Sequence, residues 1–128
     1  MMNNEVKEAK AKYDLEERLI DFAVSISLLS EKLPETRFGA YVSGQILRSG
    51  CSPALNYGEA QSAESRNDFI HKMKIILKEL RETMVSLKLI ERRNIYDLDK
   101  TSKAKDECNQ LIAIFVRSIE TAKRNNLK

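Results

Sequence analysis

The chain has 128 residues, 42% of them hydrophobic and 32% charged, which suffices for a core and for long solvated helix faces. No stretch approaches the ~18 uncharged apolar residues of a membrane span, the opening residues lack the apolar run of a secretory signal, and four glycines and two prolines are too few for an all-β chain rich in turns. The net charge of +3 is unevenly placed, with 7 basic and 10 acidic side chains in residues 1–64 against 15 and 9 in residues 65–128; this permits a polyanion partner, a head-to-tail subunit contact, or a plain solvated lysine-rich surface. The expectation is one cytoplasmic domain over residues 1–128, with no membrane contact.

The first helix is predicted from Asp14 to Lys32. Leu15, Leu19, Phe22, Ile26, Leu29 and Leu33 recur at alternating spacings of 4 and 3, the single apolar seam of a bundle helix. Asp14 reads as its N-cap, and Pro34 as its stop, because proline disfavours α conformation at Leu33 and lacks a donor. The second helix is predicted from Glu35 to Ala63, with Pro34 at its first turn and a kink or break near Gly50–Pro53. Ser65 and Asp68 resemble a capping box opening the third helix, Arg66 to Arg92, whose seam is Phe69, Met73, Ile76, Leu80, Met84 and Leu87. After a connection at Asn94–Asp99, the fourth helix runs from Lys100 to Arg124 on Ala104, Cys108, Leu111, Phe115, Ile119 and Ala122, and Asn125–Lys128 is expected to fray. The fold class is therefore all-α, an antiparallel up-down-up-down four-helix bundle.

Chemistry has few tools here. His71 is the only histidine and neither cysteine stands at ligand spacing from it, so no metal is expected. Cys51 and Cys108 form no CxxC pair and read as small, mostly buried thiols rather than a disulfide. There is no phosphate-cradling glycine loop and no nucleophile elbow, and Glu59, Glu79 and Glu82 make no convincing acid/base pair. The expectation is no enzyme, no catalytic residue and no cofactor.

Three surface patterns remain. On a wheel of ~100° per residue, Lys74, Lys78, Arg81, Lys88 and Arg92 fall within a stripe about 80° wide on helix 3, away from its seam. Such a stripe matches a phosphate backbone, or acids of a neighbouring subunit (Glu16, Glu17 and Asp21 of helix 1), or simply water. Lys100, Lys103, Lys105, Arg117, Lys123 and Arg124 of helix 4 extend the basic set, and Glu82 partly neutralises Lys78. Ile75, Val85 and Leu89 lie opposite the core seam of helix 3 and favour an oligomer contact. On helix 2, Ala40, Gly44, Leu47, Cys51, Ala54 and Gly58 form a mostly small row suited to close helix approach. The other side of that helix carries a polar line, Gln45, Arg48, Ser49, Ser52, Asn56 and Glu59, readable as a solvated face or as a hydrogen-bonded seam fixing helices or subunits.

The segments YDLEERLIDFA (13–23), LP (33–34), GQILRSGCSPALNYGEAQSAES (44–65) and DFIHKMKIILKELRET (68–83) carry a resemblance. They are similar to the bacterial four-helix-bundle proteins of the 23S rRNA intervening-sequence family. Its most specific string, Q-x-x-R-S-x-x-S-x-x-x-N-x-x-E, stands as Gln45, Arg48, Ser49, Ser52, Asn56 and Glu59; a second part stands as Asp68, Phe69, Lys72, Lys78, Glu79 and Glu82. The resemblance covers residues 13–92 and implies antiparallel bundles assembled into rings, with a pentamer as the expected form. Some such proteins are encoded inside insertions in ribosomal RNA genes. A related branch is the accessory protein of diversity-generating retroelements, in which a basic pentamer engages RNA and a reverse transcriptase. The resemblance implies no catalytic residues, and a helix 2 signature that holds helices or subunits together rather than a ligand.

The expected function is that of a non-enzymatic, oligomeric bundle binding RNA or another nucleic acid through the helix 3 stripe. The alternative is a structural or protein-interaction module that binds no nucleic acid.

Overall fold

A computed structural model describes residues 4–126 of the chain, with side chains from 14 to 125. Four helices follow one another: α1 (Asn4–Glu31), α2 (Arg37–Gln61), α3 (Arg66–Arg93) and α4 (Leu98–Asn126). Each packs on its neighbours in sequence, and α4 returns to α1, where the described residues approach one another least. The bundle is therefore up-down-up-down, with α1 and α3 running in one direction and α2 and α4 in the other. No described helix is long and apolar enough to cross a membrane.

The four apolar seams meet in one core. Leu19, Phe22, Ile26, Leu29 and Leu33 enter from the first seam, Val42, Ile46, Tyr57 and Ala60 from α2, Met73, Ile76, Leu80, Leu87 and Ile90 from α3, and all six seam residues from α4. Leu15, Phe69 and Met84, at the seam margins, are half-buried against it. Across the diagonal, the Tyr57 and Phe115 rings meet edge to face with centroids 6.0 Å apart.

The helix ends depart from the sequence reading in ways that local chemistry explains. Asp14 is not an N-cap: α1 continues back to Asn4, through Glu-, Lys- and Ala-rich residues that offer no stop signal. Pro34 does not sit in the first turn of α2. The cap is Thr36, whose Oγ1 accepts from the Gly39 N–H at 3.0 Å, so α2 starts at Arg37 rather than Glu35. Only glycine fits at 39, since a Cβ there would lie 2.0 Å from the Pro34 carbonyl oxygen. The break expected near Pro53 does not occur. Proline forfeits the bond to the carbonyl four residues back, yet α2 runs unbroken to Gln61, ending two residues before Ala63.

The capping box of α3 is present with a shifted second half. Ser65 Oγ accepts from the Asp68 N–H at 3.0 Å, and the short Asp68 carboxylate accepts from the Glu64 N–H at 3.3 Å rather than from Ser65. At its other end, Asn94 adopts the left-handed region (φ 53°) and the Ile95 N–H reaches back to the Ile90 carbonyl. The connection to α4 is shorter than expected: Asp97 Oδ1 caps the Lys100 N–H at 2.9 Å, so α4 opens at Leu98 instead of Lys100. Of the tail expected to fray, Asn125 and Asn126 are helical and residues 127–128 lie outside the described residues.

Candidate nucleic-acid interface

The outward side of α3 brings the expected stripe together. Lys74, Lys78, Arg81, Lys88 and Arg92 are all exposed. Among the described residues none of the five has a carboxylate within ion-pair distance. The neutralisation of Lys78 by Glu82 does not form, because Glu82 Oε2 accepts from Arg48 Nη2 of α2 at 2.7 Å. The adjacent Arg93 is committed elsewhere, its guanidinium stacked 4.3 Å from the Phe38 ring centroid. Five cations thus share one helix face without internal compensation.

That face borders a shallow groove of about 840 Å³, whose walls include Tyr41 and Gln45 of α2, Lys74, Lys78 and Arg81 of α3, and Lys123 of α4. Lys123 is the helix 4 cation that the fold adds to the stripe. Lys105 is withdrawn from the expected basic set, its Nζ donating to both oxygens of Glu91 at 3.1 Å. Ile75, Val85 and Leu89 are exposed on the same side of α3, beside an exposed Tyr41.

The polar line of α2 divides. Arg48 and Ser49 bind α3: Arg48 Nη1 donates to Glu79 Oε2 at 2.9 Å, and below it the Thr83 Oγ1 stands 2.8 Å from Ser49 Oγ and 2.9 Å from the Glu79 carbonyl oxygen. Glu79 is 8% exposed, Ser49 1% and Thr83 0%, so these groups require one another. The hydrogen bond that Arg48 donates to Glu82, ahead of the Glu79 charge, raises the pKa of Arg48. Gln45 and Glu59 are exposed and Ser52 and Asn56 half-exposed, and none of them bonds α3 among the described residues. The sequence paired Glu82 with Lys78 and gave no role to Glu79 or Thr83 in this contact. The available signal was a threonine on the inward side of a helix facing a serine on the next.

The small row of α2 divides, with Cys51 and Ala54 half-buried and the rest outward. Ala40, Gly44, Leu47 and Gly58 are exposed, and a Cβ added at Gly44 or Gly58 would meet nothing within 4 Å. The close approach occurs at Gly50, where a Cβ would lie 2.6 Å from Ile26 Cγ2. Cys51 is half-exposed with its thiol toward the Ala23 carbonyl, whereas Cys108 is fully buried, donates to the Leu80 carbonyl at 3.3 Å, and is pushed up to about 12 by burial. His71 is exposed, and no three His, Cys, Asp or Glu side chains converge among the described residues.

Comparison with known proteins gives a family and a similar solved structure. The chain fits the 23S rRNA-intervening sequence protein family over residues 11–117. A crystal structure from Bacteroides thetaiotaomicron, of a protein with unknown function from the S23 ribosomal protein family, is 32% identical with a TM-score of 0.77, covering 82% of this chain and 97% of its own. No curated protein sequence gives a significant match.

Proposed function

The chain belongs to the 23S rRNA-intervening sequence protein family, and from that premise we propose that it is a non-enzymatic, cytoplasmic bundle that binds RNA through α3 as an assembly of several copies. One observation carries the reading: Lys74, Lys78, Arg81, Lys88 and Arg92 share a face and lack internal counter-charges among the described residues. A phosphate backbone supplies the missing charge and releases its counterions on binding. The geometry suits backbone contact rather than base reading. Repetition over several copies multiplies a modest charge by avidity; a pentamer is the form the resemblance favours, and a reverse transcriptase is a candidate second partner.

The test is a titration of labelled RNA against wild type and Lys74→Glu/Arg81→Glu at several salt concentrations. Wild type is expected to bind at low salt with an affinity that falls steeply as salt rises, and the variant to lose about 0.7–0.9 of log–log slope per phosphate contact removed. Absence of binding at low salt, or indifference to the double reversal, overturns the reading.

A second reading has its own support. Ile75, Val85 and Leu89 are exposed on the same helix face, which favours a protein contact. A purely structural module then makes assembly, and not RNA binding, the property that α3 supports.

A further inference from the structure

We infer that the outward ridge of α1 in one copy docks on the outward face of α3 in a second copy of this chain; the inference rests on the oligomeric half of the proposed function and not on its RNA half. The ridge consists of Glu17, Ile20, Asp21, Val24, Leu28 and Glu31, which fall within an arc of roughly 100°. Ile20, Val24 and Leu28 are 41%, 53% and 57% exposed, a row of bulky apolar side chains that their own bundle leaves uncovered. The three acids have no ion-pair partner among the described residues, and the one base within residues 14–31, Arg18, turns toward α4 to bind Glu107 and Gln110. Over residues 14–31 the ridge is therefore apolar and acidic, with the exposed Lys32 just beyond its end.

The face of α3 is its counterpart. Glu79 and Glu82 bind α2 and Glu91 binds α4, which fixes the two flanks of the helix. Between them on the helix wheel Ile75 and Leu89 lie toward α2, Lys78 and Val85 lie centrally, and Lys74, Arg81, Lys88 and Arg92 lie toward α4. The face is apolar and basic, and the acids at its flanks are already engaged.

The spacings match as well as the signs. Asp21 and Glu31 stand ten residues apart, and so do Lys78 and Lys88, a separation of ~15 Å at helical rise. The axial separation therefore matches whichever way the two helices lie. Val24 and Leu28 fall between the acids and Val85 falls between the cations, so the apolar contact is central and the ion pairs flank it, as in a stable interface. Lys74, Arg81 and Arg92 stay at the rim, where a polyanion can still reach them. The two surfaces belong to different helices on opposite corners of the bundle. Each copy therefore keeps one ridge and one face to offer, and the contact propagates head to tail rather than stopping at a two-fold dimer.

The experiment is sedimentation velocity with circular dichroism on four forms of the full chain: wild type, Asp21→Lys/Glu31→Lys, Lys78→Glu/Lys88→Glu, and all four substitutions together. All sites are exposed, and unchanged helicity certifies each form. Wild type is expected to sediment as several copies, each double reversal to fall to a smaller species, and the quadruple form to recover the wild-type coefficient. A monomeric wild type, assembly indifferent to either reversal, or a quadruple form that stays small while helical overturns the inference. RNA titration on the same samples separates it from the RNA reading. A wild type that binds RNA as a monomer sinks this contact alone, and one that assembles without binding RNA sinks the RNA reading alone.

Discussion

Thr83 and Ser49 place two hydroxyls in a fully sealed part of the α2–α3 seam. A buried hydroxyl that loses its partner costs more than the bond was worth, because the survivor stays desolvated. Thr83→Val is therefore expected to destabilise the chain by ~1–3 kcal/mol, and adding Ser49→Ala to recover much of the loss, measured by urea unfolding at fixed protein concentration. Cys108 makes a pH prediction. Its folded pKa is raised to about 12, above the ~8.5 of a free thiol. Between those values the native thiol keeps a proton that the unfolded chain has lost, so the unfolded state binds fewer protons and stability falls as pH rises. The slope from this group is at most ~1.4 kcal/mol per pH unit, and Cys108→Ala is expected to flatten the profile above pH ~9 relative to wild type. The burial of Cys108 was readable from its place in a seam, but its Leu80 partner and the Thr83–Ser49 pair were not, because those partners come from other helices.

At the scale of the element, the 3–4 periodicity located all four helices and the inward seams of the first, third and fourth, because one buried stripe per helix is what a four-helix bundle imposes; the inward residues of α2, Val42, Ile46, Tyr57 and Ala60, went unnamed. The ends were less readable. Caps are decided by single side chains: Thr36 and Asp97 outcompeted the proline and lysine expected to open their helices. Within the chain the close approach on α2 falls at Gly50, which the small row did not include, because helix approach depends on which neighbour lies opposite, and that neighbour is Ile26. Gly50→Ala is expected to cost ~1–3 kcal/mol by overpacking. Combined with Ile26→Ala it should cost less than the two single changes added, a coupling that a double-mutant cycle in thermal unfolding detects. The family string also gains a physical account at this scale. Arg48, from its first part, and Glu79 and Glu82, from its second, are one ion-paired cluster that joins α2 to α3.

For the whole molecule, the described outward faces of α1 and α3, on opposite corners, carry opposite charge. The five cations of the stripe were readable in sequence as a spacing, but their freedom from internal acids was not, because it depended on Arg48 reaching across to claim Glu82. The two proposed associations then differ in response to salt. RNA affinity is expected to fall linearly in log–log terms with a slope set by the phosphates contacted. Assembly, with an apolar centre and only flanking ion pairs, should weaken far less between 50 and 500 mM salt, values of the order that span strong and weak screening. Parallel salt series of RNA binding and sedimentation check this; equal steepness in both would mean that charge alone holds the copies together.

The unequal thiols have a practical consequence. Cys51 is partly open on the outside of the bundle while Cys108 is sealed within it. A nitroxide or fluorophore is thus directed to one place per polypeptide without engineering any cysteine away. In a closed ring, identical tags sit on the vertices of a regular polygon, so the set of separations among them counts the members; in an open fibre the same tags give an unending ladder. The native chain therefore carries its own ruler for the arrangement it adopts.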